Sequence, residues 1–346
     1  MLTDKHKYRV GILHGAGYAA RDLMRLVAGH PALELSAVAS DSHAGEPFAA
    51  AHPGLRGVVD GTFASSAGLD AGELDVILSC GRHGPFLDEI AALDSGFDGI
   101  VVDLSANFRL RNPADYQAFY GFDHDLPDLL ARFVYGLTER HRDELRGARR
   151  IANPGCFATG VALSLAPIAE RHEGLVAQVV AMTGASGAGT TARPTTHFPE
   201  RDGNARAYDV WRHRHTPEIL QEMPHPVELS FVPSAGPWVY GIWGVAHVIG
   251  LPDDADIDAI YRGAYGDCSL VRLIPDALPE LKDAARTPFV DIGWMKRRDG
   301  LVLIGFALDN LIKGAAGAAV QNVNVALGLP EAAGLLPGTA VRVEQH

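Results

Sequence analysis

The pattern of apolar and polar positions changes character near residue 153. Before that point, short apolar runs alternate with segments of helical spacing. Residues 8–13 read as a strand, followed by a turn at His14-Gly15-Ala16-Gly17. Leu23, Leu26 and Val27 then recur at helical spacing, with Arg21, Asp22 and Arg25 on the polar side. Residues 34–39 read as a second strand, and 75–79 and 99–104 are the unbroken apolar runs of strands buried on both faces. Strand and helix signals in alternation predict an α/β fold, a doubly wound Rossmann-type sheet with helices on both faces.

Beyond 153 one helix follows, and then strands dominate, at 178–183, 228–232, 241–249, 269–274, 290–295 and 301–308. Several alternate in polarity, as a mostly antiparallel sheet with one open face does. A long Gly-, Thr- and Arg-rich segment, 184–211, separates the first two. Segments of that length inside compact domains are usually functional. A last helix over about 315–327 stops at Gly328-Leu329-Pro330. The expected organisation is a dinucleotide-binding domain, 1–152 with 313–346, and an α+β catalytic and dimerisation domain, 153–312.

Composition narrows the partners. A net charge of -12 argues against nucleic acid or an anionic membrane. Cys80, Cys156 and Cys268 are far apart, so neither a disulfide framework nor a zinc site is implied and a reducing cytoplasm fits. Residues 1–7 lead into no apolar stretch of signal-peptide length, and no run is long enough to span a membrane.

Four clusters carry candidate chemistry. Cys156 follows the turn Asn153-Pro154-Gly155 and opens a helix. The positive end of a helix favours a thiolate, a strong nucleophile for acyl transfer. The competing reading is a small cysteine buried at a strand–helix corner. His213-Arg214-His215 stand before a helix start marked by Thr216 and Pro217. Histidine is the usual acid or base near neutral pH. Paired histidines also suit zinc, but no third ligand is suggested and alternate residues on a strand point apart, so no metal is expected. The glycine turn at 14–17 suits a pyrophosphate. The run Asp309 to Gly317 ends a strand and begins a small-residue helix, fit for close approach to a cofactor or to another helix.

In this order and spacing the clusters resemble the N-acetyl-γ-glutamyl-phosphate reductase family. That family includes relatives that reduce acyl phosphates on an amino-group carrier protein, and its superfamily contains aspartate-semialdehyde dehydrogenase. The matching pieces include Gly17-Tyr18, His83-Gly84, Phe108-Arg109-Leu110, Asn153-Pro154-Gly155-Cys156, Ser186-Gly187-Ala188-Gly189, His213 to Glu218 and Asp309 to Gly317. The resemblance implies that Cys156 attacks an acyl phosphate to give a thioester, which a nicotinamide cofactor reduces to a semialdehyde. It implies His215 as the acid/base, His213 as a second catalytic-site residue, and Arg109, Asn153, Arg214 and Glu218 as substrate contacts; by its spacing Glu218 is also placed to orient an imidazole. It places the cofactor at Gly15, Gly17, Tyr18, Ser40, Asp41, His83, Ser186, Gly187, Asn310 and Gly314, with Asn310 near the nicotinamide. The substrate is then free N-acetyl-γ-glutamyl phosphate, for arginine biosynthesis, or an acyl phosphate on an acidic carrier protein. A homodimer or homotetramer is expected.

The sequence also departs from the family. His14 and Ala20 replace glycines, Arg82 a proline, Asn107 an aspartate and Tyr240 an arginine. Asp41 stands where the family has an arginine for the 2′-phosphate of NADP, the default cofactor. An aspartate there repels that phosphate and accepts bonds from ribose hydroxyls, which leans toward NAD. The carrier reading requires Arg193, Arg201, Arg206, Arg212 and Arg214 to form a basic patch on an acidic chain. His14, Asp41 and Tyr240 also motivate a non-catalytic, divergent member, against which Cys156 and His215 argue.

Overall fold

A computed structural model describes residues 7–84, 86–297 and 301–338. The first residues, 1–6, and the end of the expected C-terminal segment, 339–346, lie outside the described residues. The chain forms two compact units, Met1–Pro154 with Ala315–His346, and Gly155–Gly314.

The first unit is built on a six-stranded parallel sheet of order β2-β1-β3-β4-β6-β5. Its strands are β1 (Tyr8–Leu13), β2 (Leu33–Val38), β3 (Val76–Ser79), β4 (Ile100–Asp103), β5 (Val134–Tyr135) and β6 (Arg150–Ala152). The longer helices between them are α1 (Tyr18–Ala28), α2 (Leu87–Gly96) and α3 (Thr138–Leu145). Alternate strand residues feed opposite faces. Val10, Ile12, Val76 and Leu78 pack under Leu23, Met24 and Val27 of α1. Leu13, Ile77 and Val101 pack toward Ile90 of α2 and Phe97. The strand order reverses at β1, which places a crevice outside the carboxyl ends of β1 and β3, where ligands of such sheets bind. The sequence pattern did not show β5 and β6, because each is only two or three residues long.

The C-terminal helix Gly317–Ala326 is buried throughout, although Gln321, Asn322 and Asn324 lie along it. Each amide has partners, as burial requires. Gln321 donates to Glu139 at 2.8 Å, Asn322 accepts from Thr138 Oγ1 at 2.7 Å, and Asn324 Oδ1 lies 3.0 Å from His30 Nε2.

The second unit is a seven-stranded sheet of order β11-β12-β13-β10-β7-β9-β8. The strands are β7 (Val176–Thr183), β8 (Arg206–Ala207), β9 (Glu228–Ala235), β10 (Ile242–Ile249), β11 (Val271–Pro275), β12 (Val290–Lys296) and β13 (Val302–Leu308). Its helices are α4 (Cys156–Ala169), α5 (Thr216–Leu220) and α6 (Ile257–Tyr265). Four neighbouring pairs run antiparallel, while β11·β12 and β7·β9 are parallel. The long segment after β7 contains only short helical turns and the two-residue β8.

One face of this sheet is covered by α4, buried along its length after Cys156. A Cβ on Gly160 would meet the Phe306 ring at 2.5 Å, so the glycine sets how closely helix and sheet approach. Pro167 cannot donate to the Leu163 carbonyl one turn back. Tyr265 of α6 replaces that donor, its hydroxyl reaching Leu163 O at 2.7 Å. The other face is open and largely apolar. Val180 pairs across with Val245 and Val232, and Met182 with Trp243. Val180 is 39% exposed and Ile249 46%.

Candidate active site

Cys156 is the first residue of α4, half-buried, with Gly155 as N-cap and no side-chain cap. No acidic residue lies in the first turn itself, and the N–H groups of a helix start favour a thiolate. Gly314 packs directly on it: a Cβ there would lie 2.7 Å from Cys156 Cβ. Gly314, expected at the cofactor, thus has a clear reason to lack a side chain in the fit around the nucleophile.

Glu218 of α5 is fully buried, and its Oε1 accepts the Gly155 N–H at 2.6 Å. This contact holds the turn just before the nucleophile.

His213 and His215 lie together, ring centroids 4.8 Å apart. They occupy a turn leading into α5, not a strand, so the expectation that their side chains point apart fails. No group of three or more metal-ligating side chains occurs among the described residues. The Phe157 ring, next to Cys156, lies 5.5 Å from His213 and 6.3 Å from His215. The two histidines differ in surroundings. His213 sits among Phe157, Phe231 and Tyr208, and its Nδ1 accepts the His215 N–H at 3.2 Å. Burial, with the charge of Arg214 adding, pushes its pKa down to about 3. His213 is therefore neutral near pH 7, with its proton on Nε2. Arg214 between them is exposed.

Tyr208 went unrecognised in the sequence. Its ring lies 5.6 Å from His213, and burial first, then proximity to Cys156, raises its phenol pKa. It lies in the long segment after β7, where no periodicity marks a buried residue. Asn310 is also buried. Its Oδ1 accepts the Gly241 N–H at 2.6 Å and its Nδ2 donates to Ser186 Oγ at 3.0 Å. Asn310, Ser186 and the neighbouring Gly187 thus form one hydrogen-bonded corner with the Val239–Gly241 loop.

In the first unit, Gly15 is packed and Gly17 is open. A Cβ on Gly15 would lie 2.3 Å from Val38, whereas one on Gly17 would meet nothing within 4 Å. Gly17 is the N-cap of α1, with no acidic residue in the first turn and no side-chain cap. That cradle fits a dinucleotide pyrophosphate. Tyr18 begins the helix under Arg21, whose guanidinium also pairs with Asp22 at 3.1 Å. Ser40 is buried at the end of β2, and Asp41 beyond it is exposed. Asp41 accepts from the Ser66 N–H at 2.7 Å and hydroxyl at 3.0 Å, and these bonds hold its pKa below the usual value. His83 packs edge-on to Tyr120 at 5.7 Å. Arg109 donates to Leu104 O at 2.8 Å. Asn153, expected at the substrate, spends its amide inside the unit, on Ala315 O at 3.2 Å and Asn322 at 3.1 Å.

A Rossmann-type sheet with an open pyrophosphate cradle in one unit, and a cysteine at a helix start in the other, are features of nicotinamide-dependent oxidoreductases. Residues 9–148 match the model described as semialdehyde dehydrogenase, NAD binding domain, and 156–310 that described as semialdehyde dehydrogenase, dimerisation domain. The chain belongs to the semialdehyde dehydrogenase family. It is 39% identical to the LysW-L-2-aminoadipate 6-phosphate reductase of Deinococcus radiodurans, over 97% of this chain and 98% of the relative. It is 40% identical to the N-acetyl-gamma-glutamyl-phosphate reductase of Halorhodospira halophila, over 94% and 97%. Aspartate semialdehyde dehydrogenase II of Vibrio cholerae shares the fold, with a TM-score of 0.70 at 16% identity over 93% of this chain and 98% of that one. The chain is an oxidoreductase of amino-acid biosynthesis that reduces an acyl phosphate, with a nicotinamide dinucleotide as cofactor. No helix among the described residues is long and apolar enough to cross a membrane.

Proposed function

We propose that the substrate is N-acetyl-γ-glutamyl phosphate, reduced to its semialdehyde for arginine biosynthesis in the cytoplasm. The observation that carries the reaction type is Cys156 at the uncapped start of α4, with His215 buried on the adjoining α5. His215 takes the thiol proton, and Cys156 attacks the acyl carbon. The carbon–sulfur bond forms as the carbon–oxygen bond to phosphate breaks, and His215 returns the proton to the departing phosphate. A nicotinamide dinucleotide, held by residues such as Gly17 and Asn310, would supply the hydride that the thioester carbonyl accepts. N–H groups of the first turn of α4 stabilise the resulting oxyanion, which expels the thiolate as the aldehyde forms. Arg109, Arg214 and Glu218 serve the substrate, the first two as cations for its phosphate and carboxylate. The test is the reverse reaction. With N-acetylglutamate semialdehyde, cofactor reduction is expected only when inorganic phosphate is present; phosphate-independent turnover would overturn the reading.

One observation favours a second substrate. Residues 184–214 carry five arginines against Glu200, Asp202 and Asp209, and expose Phe198 (75%) and Trp211 (73%). A basic surface with apolar anchors suits an acidic carrier protein bearing the acyl group. Turnover of a carrier-bound semialdehyde, with none of the free one, would select this reading.

For the cofactor we propose NADH over NADPH. The exposed, ionised Asp41 follows β2, where a ribose 2′-substituent is read. The wild type is expected to show roughly tenfold higher kcat/KM with NADH, the size of a moderate charge repulsion. Asp41→Arg is expected to reverse the preference. A strong NADPH preference unchanged by the substitution would sink the idea.

The open face of the second sheet is proposed to pair with a second copy. Its apolar row, Val180, Met182, Val232, Trp243 and Val245, matches the composition of obligate interfaces. Sedimentation equilibrium is expected to give at least twice the chain mass, and Val245→Asp to give monomers. A monomeric wild type at micromolar concentration would rule this out.

A further inference from the structure

The turn after β1 does not need His14. The residue lies in the left-handed region, φ +58°, which glycine adopts freely and histidine only under strain. Strain of this kind gathers at functional sites. The imidazole is nonetheless firmly held. Its Nε2 lies 2.6 Å from Glu89 Oε2 on α2, and its ring 4.1 Å from the Phe86 ring. Gly81 leaves room for both rings, since a Cβ there would come within 3.2 Å of His14 and 2.9 Å of Phe86.

The carboxylate takes up Nε2 and leaves Nδ1 for another partner. Nδ1 makes no hydrogen bond among the described residues, and the side chain is 18% exposed. Asp41 after β2 and Asp103 at the end of β4 both feel the charge of His14. Glu89, Asp41 and Asp103 are acidic groups that interact with this imidazole. The ring stands three residues before the open N-cap Gly17, at the carboxyl edge of the sheet.

We propose that His14 is a cofactor-binding residue whose imidazole, held through Nε2 by Glu89, donates from Nδ1 to the dinucleotide pyrophosphate. Glu89 is then a positioning residue that acts through His14. The proposal rests on the reading that this unit binds a dinucleotide.

Calorimetric titration of wild type, His14→Gly and Glu89→Gln with NADH, NADPH and ADP-ribose tests it. Glycine suits the backbone of this turn, so His14→Gly should fold, with a melting midpoint within a few degrees of wild type. Its affinity for ADP-ribose and for the preferred cofactor should fall about tenfold, the worth of one charge-assisted hydrogen bond. Glu89→Gln should lose roughly threefold. Unchanged affinity in His14→Gly would overturn the proposal. So would a loss for the cofactor without a matching loss for ADP-ribose, or a loss accompanied by a collapsed midpoint. A wild type that binds none of the three ligands would instead overturn the dinucleotide reading itself.

Discussion

Cys156→Ala is expected to abolish reduction of the acyl phosphate while leaving the protein folded. Removing a covalent nucleophile leaves only binding and oxyanion stabilisation, and typically lowers kcat by several orders of magnitude. The substitution is mild for the fold. Alanine is the best helix former, and Cys156 is only half-buried at the first position of α4. The contact that holds the turn, Glu218 on the Gly155 N–H at 2.6 Å, involves no atom of the cysteine side chain. The melting midpoint should therefore move by only a few degrees and cofactor affinity should stay the same. Burst-phase release of phosphate from an acyl phosphate, without cofactor, should disappear with the thiol. A variant that kept more than about a hundredth of the wild-type rate would show that Cys156 is not the nucleophile.

The first sheet was legible because burial on both faces leaves continuous apolar runs. Val76–Ser79 and Ile100–Asp103 are fully buried strands of that kind. The edge of the sheet was not legible. A two-residue strand such as Val134–Tyr135 has no period to detect, and its place is fixed by pairing with Ile151 and Ala152. In the second unit, alternation identified strands whose outer face is open, such as Val176–Thr183. It could not show that β7 and β9 run parallel, because the direction of a strand leaves no mark on its periodicity. The C-terminal helix was read from small residues, yet beside its apolar packing it is tied by Gln321, Asn322 and Asn324, each with a partner far away in sequence.

The same distinction runs through the site. Local motifs pointed to the turn before Cys156 and to the helix start after His215. What each residue touches was legible only where sequence neighbours decide it. Glu218 reaches Gly155 across 63 residues, and Gly314 meets Cys156 from the far end of the unit. Tyr208 carries no motif of its own. Its burial follows from the placement of the adjoining backbone, the Tyr208 N–H bonding to Pro233 O at 3.0 Å. His14 drew attention only as a departure. Its pairing with Glu89, 75 residues on, became visible once β1 and α2 were in place.

His215→Asn is expected to lower kcat by roughly 10²–10⁴ and to remove one limb of the pH profile. His213→Asn is expected to cost far less, and the reason is electrostatic. Burial holds His213 neutral down to about pH 3, and its Nδ1 is occupied by the His215 N–H, so it cannot accept a thiol proton at pH 7. Its part is to fix the turn that carries His215, and an asparagine side-chain oxygen can accept the same N–H. The depressed pKa also has a consequence for stability. His213 takes up a proton near pH 6.5 when unfolded but only near 3 when folded. The unfolded chain therefore binds more protons between those values, and stability is lost as pH falls through that window. Rates belong above pH 6.5, where this loss is absent, with folding checked by circular dichroism at each point. In that range His213 does not titrate, so any histidine limb in the profile belongs to another residue. A greater loss from His213→Asn, with His215→Asn near wild type and its profile intact, would reverse the two roles.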